Sequence, residues 1–181
     1  MSRPRIRLYM AVSLDGFIAD SAGGVGWLQP YEAEDVGFGA FLGEIDAIVS
    51  GRRTYDQAGG LGSWPYAGKR MVVLSHRPLA PGAPDGVETY TGNIVSLADA
   101  LTRETDGDIW LLGGASVAQD FLERNLVDRI ELYLIPILLG DGVRLFGPRG
   151  HSRTLASSEA KHFPNGIIGL FYELSPSLRL A

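Results

Sequence analysis

The sequence predicts an α/β protein whose sheet is mostly parallel and closes with an antiparallel C-terminal hairpin. Over the first 124 residues, short apolar segments alternate with segments of helical periodicity, which is the pattern of parallel strands joined by helices. From residue 128 onward, apolar segments follow one another without an intervening helical pattern, which is typical of antiparallel strands. The sheet is therefore expected to change direction near the C-terminus.

The parallel part is predicted from short apolar segments and from segments with one apolar helical face. The predicted strands are residues 6–12, 46–50, 70–75, 87–91 and 108–112. The predicted helices are residues 31–45, 52–58, 96–105 and 116–124. Ser96 is the expected N-cap of the third helix. Glu32, Glu34 and Asp35 fall in the first turns of the first helix, where carboxylates suit the positive end of the helix dipole.

The final third predicts a run of neighbouring strands. Residues 128–139 alternate apolar and polar side chains, but Pro136 lacks the N–H that a central strand needs, which indicates an edge strand or a bulge. Residues 154–163 and 166–174 predict a hairpin about Pro164-Asn165. We hypothesise that these strands, with Tyr133 and Pro136, form the edge of a homodimer. No linker or repeat interrupts the chain, so residues 1–181 are interpreted as one domain.

Composition argues against several functional classes. The formal net charge is -5 and the pI is about 5.2, whereas nucleic-acid binders need an excess of Lys and Arg, so no nucleic-acid partner is expected. The chain has no cysteine, which excludes disulfides and thiolate catalysis. Without cysteine ligands, we expect no metal site. It has neither a long apolar run nor a signal-like N-terminus, so we expect no membrane partner and a cytoplasmic location.

A candidate phosphate-binding segment follows the second predicted strand. In the run Gly51-Arg52-Arg53-Thr54, the glycine allows the backbone to approach a phosphate, and the helix that follows presents free N–H groups. The two arginines add bidentate donors for phosphate oxygens. The alternative interpretation is a plain helix start with solvated arginines, and the run alone does not decide between the two.

Two further strand ends carry polar or glycine-rich runs. Ser75-His76-Arg77 offers a hydroxyl, an imidazole and a guanidinium, although such a run is often an ordinary polar loop. Gly113-Gly114-Ala115-Ser116 joins a strand to a helix, which suits a pyrophosphate at the helix N-terminus or close helix–strand packing. Because the carboxyl ends of parallel strands meet at one edge, three arginines would gather in an acidic protein. That arrangement favours a ribose 2′-phosphate, and hence NADP(H) over NAD(H).

Other common fingerprints are absent from the sequence. No Gly-x-Gly-x-x-Gly run follows the first strand with an acidic residue about 20 positions later, so a Rossmann fold is not supported. No Gly-x-Ser-x-Gly turn occurs, which argues against a serine nucleophile.

The order of the motifs resembles the dihydrofolate reductase-like superfamily over residues 5–174. Residues 10–19 resemble its first strand and following loop, Gly51-Arg52-Arg53-Thr54-Tyr55 resembles its Gly-Arg-x-Thr-aromatic motif, and residues 109–114 resemble its second glycine pair. Residues 72–75 resemble the strand that reaches the cofactor ribose phosphate. The runs at residues 13–17 and 136–142 are similar to the bacterial branch related to the riboflavin-biosynthesis reductase domain, RibD C-terminal. The resemblance implies a three-layer sandwich.

The resemblance also implies a site for NADPH. It assigns to the cofactor the following residues: Ala11 and Ile18 at the nicotinamide; Gly51, Arg52, Arg53 and Thr54 at the phosphates; Ser75, His76 and Arg77 at the 2′-phosphate; and Gly113, Gly114, Ala115, Ser116 and Val117 at the pyrophosphate and ribose. Hydride transfer would then come from the cofactor, while the protein orients it and excludes water.

Reduction of a C=N or C=O bond also needs a proton. Glu32 has the closest spacing after Trp27 to the acidic residue that binds the pterin in dihydrofolate reductase, and Asp15 is a carboxylate in the loop near the nicotinamide end. Glu32 could equally be a solvated helix-start residue, and Asp15 could form a turn with Gly16.

The leading hypothesis is an NADPH-dependent reductase of a small heterocyclic substrate. A pterin or pyrimidinone is expected, such as dihydrofolate or a compound of the 5-amino-6-ribosylaminouracil type. The alternatives are an NADP(H)-binding module without turnover and a homodimeric protein without catalytic activity.

Overall fold

The computed structural model describes residues 3–60, 64–147, 152 and 154–174. The described chain forms strands β1 (Ile6–Ser13), β2 (Phe17–Ala19), β3 (Ile45–Gly51), β4 (Arg70–Leu74), β5 (Val87–Tyr90), β6 (Asp108–Gly113), β7 (Arg129–Ile135), β8 (Val143–Arg144), β9 (Ala156–His162) and β10 (Ile168–Glu173). Its helices are α1 (Phe38–Gly43), α2 (Arg52–Gly59), α3 (Ile94–Glu104) and α4 (Ala115–Glu123), with a 3-10 helix at Gly26–Tyr31. In the described part of the chain, every helix is too short or too polar to cross a membrane.

Eight strands form one sheet in the order β5-β4-β3-β6-β1-β7-β10-β9, and β2 pairs with β8 in a separate ribbon. Strands β5, β4, β3, β6, β1 and β7 run parallel, whereas β10 is antiparallel to both of its neighbours. The predicted α/β class, the parallel part and the antiparallel C-terminal hairpin are therefore confirmed. The six parallel strands all end at one edge of the sheet, which we call the carboxyl edge.

Both faces of the sheet are buried, which explains why its strands are nearly continuous apolar runs rather than alternating ones. On one face α3 and α4 pack through side chains such as Leu97, Leu101 and Phe121. The other face is covered by α1 and loops, and aromatic rings such as Phe41 and Trp110 fill it. We call this second face the aromatic face. Helices or loops on both sides of the sheet give the three-layer arrangement.

The helix predicted at residues 31–45 is much shorter than expected. Only Phe38–Gly43 is helical, and it begins after Gly37, whose φ of 85° is the left-handed region that glycine tolerates. Upstream, the 3-10 helix contains Pro30 and ends at Tyr31. Glu32 and the other two carboxylates therefore lie in the turn between the helices and not in a helical first turn, so the dipole argument for them is wrong.

Helix α3 starts two residues earlier than predicted. Its N-cap is Asn93, whose side-chain oxygen accepts a hydrogen bond from the backbone N–H of Val95 at 2.8 Å. Asparagine is as good a cap as serine, so both candidates were chemically suitable, and Ser96 is instead within the first helical turn.

The prediction of an edge strand or a bulge at residues 128–139 is wrong. Strand β7 is an interior strand between β1 and β10, and it ends at Ile135, one residue before Pro136. The proline therefore terminates the strand. Tyr133 is buried within the sheet, which excludes it from the proposed dimer edge. The outer strands are β5 and β9.

An ion-pair network lies at the edge opposite the carboxyl edge. Arg7 of β1 donates two hydrogen bonds to Glu131 of β7, at 2.7 and 2.8 Å, and both side chains are about 95% buried. Arg7 also contacts Asp108 at 3.2 Å and Glu44 at 2.5 Å. Burial alone would lower the pKa of Arg7, but its hydrogen bonds to Glu131 and Glu44 raise it, and the net change is upward.

Candidate cofactor-binding site

The three strand ends singled out in the sequence meet at the carboxyl edge. In the ladder between β3 and β4, Gly51 is opposite Leu74, the residue before the Ser75–Arg77 run. In the ladder between β3 and β6, Ser50 is opposite Gly113. The three runs therefore share one edge, as the strand-end argument predicts, and the phosphate segment lies between the other two.

The glycines at this edge allow close approach of the backbone. A Cβ added to Gly51 would lie 3.2 Å from Cγ2 of Val117 and 3.7 Å from the carbonyl oxygen of Gly113. A Cβ added to Gly114 would lie 3.4 Å from Oγ1 of Thr54 and 4.0 Å from Cδ1 of Ile18. These contacts bring six predicted cofactor residues into one place. Gly113 has a φ of 88°, and its peptide bond to Gly114 is cis.

Two helices begin side by side at this place. Gly51 caps α2 and Gly114 caps α4, and a glycine cap has no side chain to accept from the free N–H groups. By contrast, the start of α3 is capped by the side chain of Asn93. Uncapped N–H groups and the positive dipole ends of two adjacent helices attract anions. The arrangement suits a diphosphate.

Strands β1 and β6 separate toward the carboxyl edge. Their ladder holds only the pairs Ile6–Ile109 and Arg7–Trp110, although both strands continue beyond it. The indole N–H of Trp110 donates to the carbonyl oxygen of Tyr9 at 3.1 Å. Ala11 is paired with β7 on one side only, and its other side faces the separation. A crevice between carboxyl ends of parallel strands is the usual ligand position in such sheets.

Arg52 holds the neighbouring turn rather than pointing freely toward a phosphate. Its Nη1 donates to the carbonyl oxygens of Pro78 at 2.8 Å and Arg77 at 3.2 Å. Its Nε donates to Asp56, one helical turn further along α2, at 2.8 Å. The guanidinium thus joins the start of α2 to the loop that follows β4.

The Ser75–Arg77 run forms a tight turn with two exposed side chains. Oγ of Ser75 accepts from the backbone N–H of Arg77 and donates to the carbonyl oxygen of the same residue, both at 3.0 Å. The backbone N–H of Ser75 donates to Tyr90 of β5 at 3.1 Å. The side chains of His76 and Arg77 are exposed, which leaves an imidazole and a guanidinium facing solvent beside Arg52.

Arg53 fastens a different loop. Its Nη2 donates to the carbonyl oxygen of Ala22 at 3.2 Å, and the side chain of Gln57 donates to that of Gly23 at 3.3 Å. The same loop is closed internally by Asp20, whose carboxylate accepts from the backbone N–H groups of Ala22 and Gly24. The loop after β2 is thereby tied to the first two turns of α2.

Asp15 is engaged in hydrogen bonds that join two loops. Its carboxylate accepts from the hydroxyl of Ser13 at 2.6 Å and from the backbone N–H groups of Leu139 and Gly140 at 3.1 and 2.7 Å. The Ser13 hydrogen bond, and then those from Gly140 and Leu139, lower the pKa of Asp15 to about 2. An ionised carboxylate with three donors suits a structural turn better than proton donation.

The remaining predicted residues are placed as follows. Glu32 is exposed at the end of the 3-10 helix, and Ala115 and Ser116 lie in the first turn of α4 beside the uncapped N–H groups. Sequence reasoning missed the loop-holding roles of Arg52 and Arg53 because a carbonyl acceptor on a distant loop leaves no local signal.

The fold is α/β, and glycine-rich strand ends and two adjacent helix starts lie together at its carboxyl edge. The chain belongs to the RibD C-terminal domain family, which it matches over residues 4–168. It is 30% identical to the uncharacterised Bacillus subtilis protein YwjB, over 88% of this chain and 92% of YwjB.

Solved structures agree with the family. A putative riboflavin biosynthesis protein from Shewanella sp. PV-4 superposes with a TM-score of 0.84 at 30% identity, covering 93% of this chain and 98% of that one. Dihydrofolate reductase from Enterococcus faecalis, solved with NADP(H), superposes with a TM-score of 0.67 at 17% identity, covering 93% and 95%. The dihydrofolate reductase-like fold is thus confirmed.

Proposed function

We propose that the protein is an NADPH-dependent reductase of a small heterocyclic substrate. The observation that carries this proposal is the crevice between β1 and β6, with two uncapped helix starts beside it. The diphosphate of a dinucleotide would lie against those helix starts, and its nicotinamide would enter the crevice. The family relationship and the likeness to a reductase solved with NADP(H) support the same function.

Each part of the cofactor has a set of residues that suits its chemistry. The diphosphate would be held by Thr54 and by backbone N–H groups from Gly51, Arg52, Arg53, Gly114, Ala115, Ser116 and Val117. Backbone groups of Ala11 and Ile18 would orient the nicotinamide ring, with Gly113 leaving room between β6 and β1. When bound, the cofactor supplies a hydride from its nicotinamide C4. The protein's contribution is orientation and exclusion of water.

Preference for NADPH would come from the turn after β4. A ribose 2′-phosphate would meet Ser75 and the exposed side chains of His76 and Arg77. Arg52 would act by holding this turn through its two carbonyl contacts. Arg53 would act mainly on the loop after β2, with its charge close to the diphosphate.

The proton for the reduced bond is assigned to Glu32 and solvent. The carboxylate of Asp15 is ionised and already accepts hydrogen bonds from the backbone N–H groups of Leu139 and Gly140. We therefore propose that Asp15 positions this loop as one wall of the substrate-binding site. Glu32 is exposed at the end of the 3-10 helix. Replacing Glu32 by Gln should lower kcat at least tenfold, since general acids contribute about 10²–10⁴-fold, with NADPH affinity unchanged. An unchanged kcat would remove Glu32 from the mechanism.

Cofactor binding is tested by titration calorimetry with NADPH and NADH. We expect NADPH to bind at least tenfold more tightly, and Arg77→Ala to remove most of that preference while leaving NADH binding unchanged. Arg124→Ala is the matched control, because Arg124 is an exposed arginine with a carboxylate one turn away, at the far end of α4. Equal affinities for the two cofactors in the wild type would refute the proposal.

Turnover is tested separately, by NADPH oxidation at 340 nm. Dihydrofolate and a 5-amino-6-ribosylaminouracil-type pyrimidinone are the first substrates, since the family and the Shewanella relative point to riboflavin biosynthesis. Selective NADPH binding without oxidation by any pterin or pyrimidinone would favour an NADP(H)-binding module.

A further inference from the structure

Strand β9 has no partner strand on its outer side in the described part of the chain. The sheet ends at β5 on one side and at β9 on the other, and β5 has four residues whereas β9 has seven. An unpaired strand edge is a template for pairing with another chain, and short strands, prolines and bulges are the usual protection against such pairing. Strand β5 is protected by its length. Strand β9 contains no proline, and its irregular pairing is confined to its first residues, opposite Tyr172 and Glu173.

The backbone groups of β9 that face away from β10 belong to alternate residues. The N–H of Phe163 donates to the carbonyl oxygen of Ile167 at 3.0 Å, so Phe163 faces β10. The register with β10 is regular over Ile168–Phe171. In an antiparallel ladder, residues that bond to one neighbour alternate with residues that bond to the other. The N–H and C=O groups of Ala160 and His162 therefore point outward, toward the place of a further strand.

The charged side chains of β9 lie on one face and have opposite signs. Glu159 and Lys161 are both exposed, and their charged groups are 3.6 Å apart. The ammonium group of Lys161 is 5.2 Å from the centroid of the Phe171 ring, so this lysine lies over its own sheet and does not project from the edge to block pairing. Ala160, between the two, points to the opposite face and is small.

This arrangement is complementary to itself about a two-fold axis. If the axis passes through Ala160 at right angles to the sheet, β9 pairs antiparallel with β9 of a second copy, and the outward groups of Ala160 meet those of the same residue in that copy. Glu159 then lies opposite Lys161 of the second copy, and the axis repeats this pair. An axis through Glu159 or through Lys161 would place like charges opposite each other, which is destabilising. Among these three registers, the one centred on Ala160 pairs opposite charges.

We propose that two copies of this chain pair through β9 about a two-fold axis at Ala160, so that their sheets become one continuous sheet. Each Lys161 then lies between two glutamates, its own Glu159 and that of the second copy. The two-fold pairing is closed, because it uses the outer side of β9 in both copies and leaves only the four-residue β5 at each end. Strands β7 and β10 separate β9 from the strands of the proposed cofactor site, so the pairing does not depend on the reductase function.

Sedimentation velocity over a range of protein concentrations tests for the dimer. A strand pair buries less surface than a standard interface of about 1,600 Å², so we expect a Kd in the micromolar range. Above that Kd, the main species should have twice the chain mass of 19.5 kDa. A wild type that remains monomeric up to about 1 mM, far above a micromolar Kd, overturns the proposal.

Charge reversal tests the register. Glu159→Lys and Lys161→Glu each place like charges opposite each other at two positions related by the axis, so each should raise the dimer Kd about tenfold. The double variant Glu159→Lys/Lys161→Glu restores opposite charges and should return the Kd to near that of the wild type. Glu88→Lys is the matched control, because Glu88 is an exposed glutamate on β5, the other outer strand, and its reversal should leave the Kd unchanged. Single variants that dimerise like the wild type, or a double variant as weak as the single ones, overturn the assigned register and with it the proposal.

Ala160→Pro tests the backbone pairing. The N–H of Ala160 faces away from β10, so proline removes no hydrogen bond of the existing ladder and suits an edge strand. It removes two N–H donors across the axis, so the Kd should rise about tenfold or more. The circular dichroism spectrum and tryptophan fluorescence should remain those of the wild type, and if this variant does not fold, the charge-reversal series still decides. A folded Ala160→Pro that dimerises like the wild type places the interface elsewhere and overturns the proposal.

Discussion

Removing the charge of Glu131 should destabilise the protein strongly without affecting cofactor binding. Glu131 accepts two hydrogen bonds from Arg7, at 2.7 and 2.8 Å, and both side chains are about 95% buried. Glu131→Gln keeps the shape but places an amide N–H₂ against a guanidinium donor. Removing one partner of a buried ion pair costs about 3–5 kcal/mol because the other charge is left uncompensated.

The lower end of that range applies here, because Asp108 and Glu44 still contact Arg7 in the variant. A loss of about 3 kcal/mol lowers Tm by about 6–12 °C in a chain of this size. Glu173→Gln is the matched control, since Glu173 is 48% exposed and its ion pair with Arg129 at 3.2 Å is a surface one. Such a pair contributes about 0–1 kcal/mol, so Tm should fall by less than about 4 °C.

Urea unfolding followed by circular dichroism and by tryptophan fluorescence measures both variants, and coincident transitions justify a two-state free energy of unfolding. The NADPH affinity of Glu131→Gln, measured at a temperature where it is folded, should equal that of the wild type, because Glu131 lies at the edge opposite the site. Equal losses of stability in the two variants would refute the reasoning about burial. A large loss of NADPH affinity in folded Glu131→Gln would refute the separation of the two edges.

Three further predictions concern the site. Gly51→Ala places a methyl group 3.2 Å from Val117 and between the two helix starts. Calorimetry should therefore show about tenfold weaker NADPH binding, equivalent to about 1.4 kcal/mol. Unchanged affinity would contradict the close approach of a phosphate to Gly51. Arg53→Ala removes the contact with the Ala22 carbonyl, so amide hydrogen exchange at residues 20–24 should be faster than in the wild type. Arg53→Lys should show an intermediate exchange rate. Equal exchange rates in the wild type and both variants would argue against the loop-holding role of Arg53. The hydrogen bonds of Asp15 lower its pKa from 3.8 to about 2, so the stability that they add is present above pH 4 and is lost as the pH falls toward 2. In unfolding measured against pH, Asp15→Asn should therefore lack this part of the acid transition. An acid transition identical to that of the wild type would contradict the prediction.

Local sequence signals account for most of the fold. Buried parallel strands such as β3 and β4 are short runs of β-branched and apolar residues, and such runs can be recognised in the sequence. Parallel topology predicts that the three strand ends share one edge, whereas the order that places Gly51 between the other two is seen only in the sheet. The hairpin of β9 and β10 was indicated by the turn at Pro164-Asn165.

The errors arose where tertiary context overrides local pattern. The apolar spacing at residues 38–45 led to a predicted helix that begins at residue 31. The helix instead begins at Phe38, directly after Gly37, whose φ is in the left-handed region. Pro136 indicated an edge strand or a bulge, but β7 lies in the interior of the sheet and ends before the proline. The pairing of Arg7 with Glu131 spans 124 residues and has no local signature.

The site was predictable in its position but less so in its contacts. Glycine runs at strand ends marked the place where backbones approach closely, and Gly51 and Gly114 do lie beside Val117 and Thr54. The engagement of Arg52 with the Pro78 carbonyl and the separation of β1 from β6 depend on distant segments, so the sequence did not reveal them.

The central claim, that the carboxyl edge is an NADPH site, is tested most directly by a crystal structure of the protein with NADP+. We predict the diphosphate against the starts of α2 and α4, the 2′-phosphate beside Ser75 and Arg77, and the nicotinamide between β1 and β6. A dinucleotide bound elsewhere, or crystals that remain free of it at millimolar NADP+, would contradict the claim.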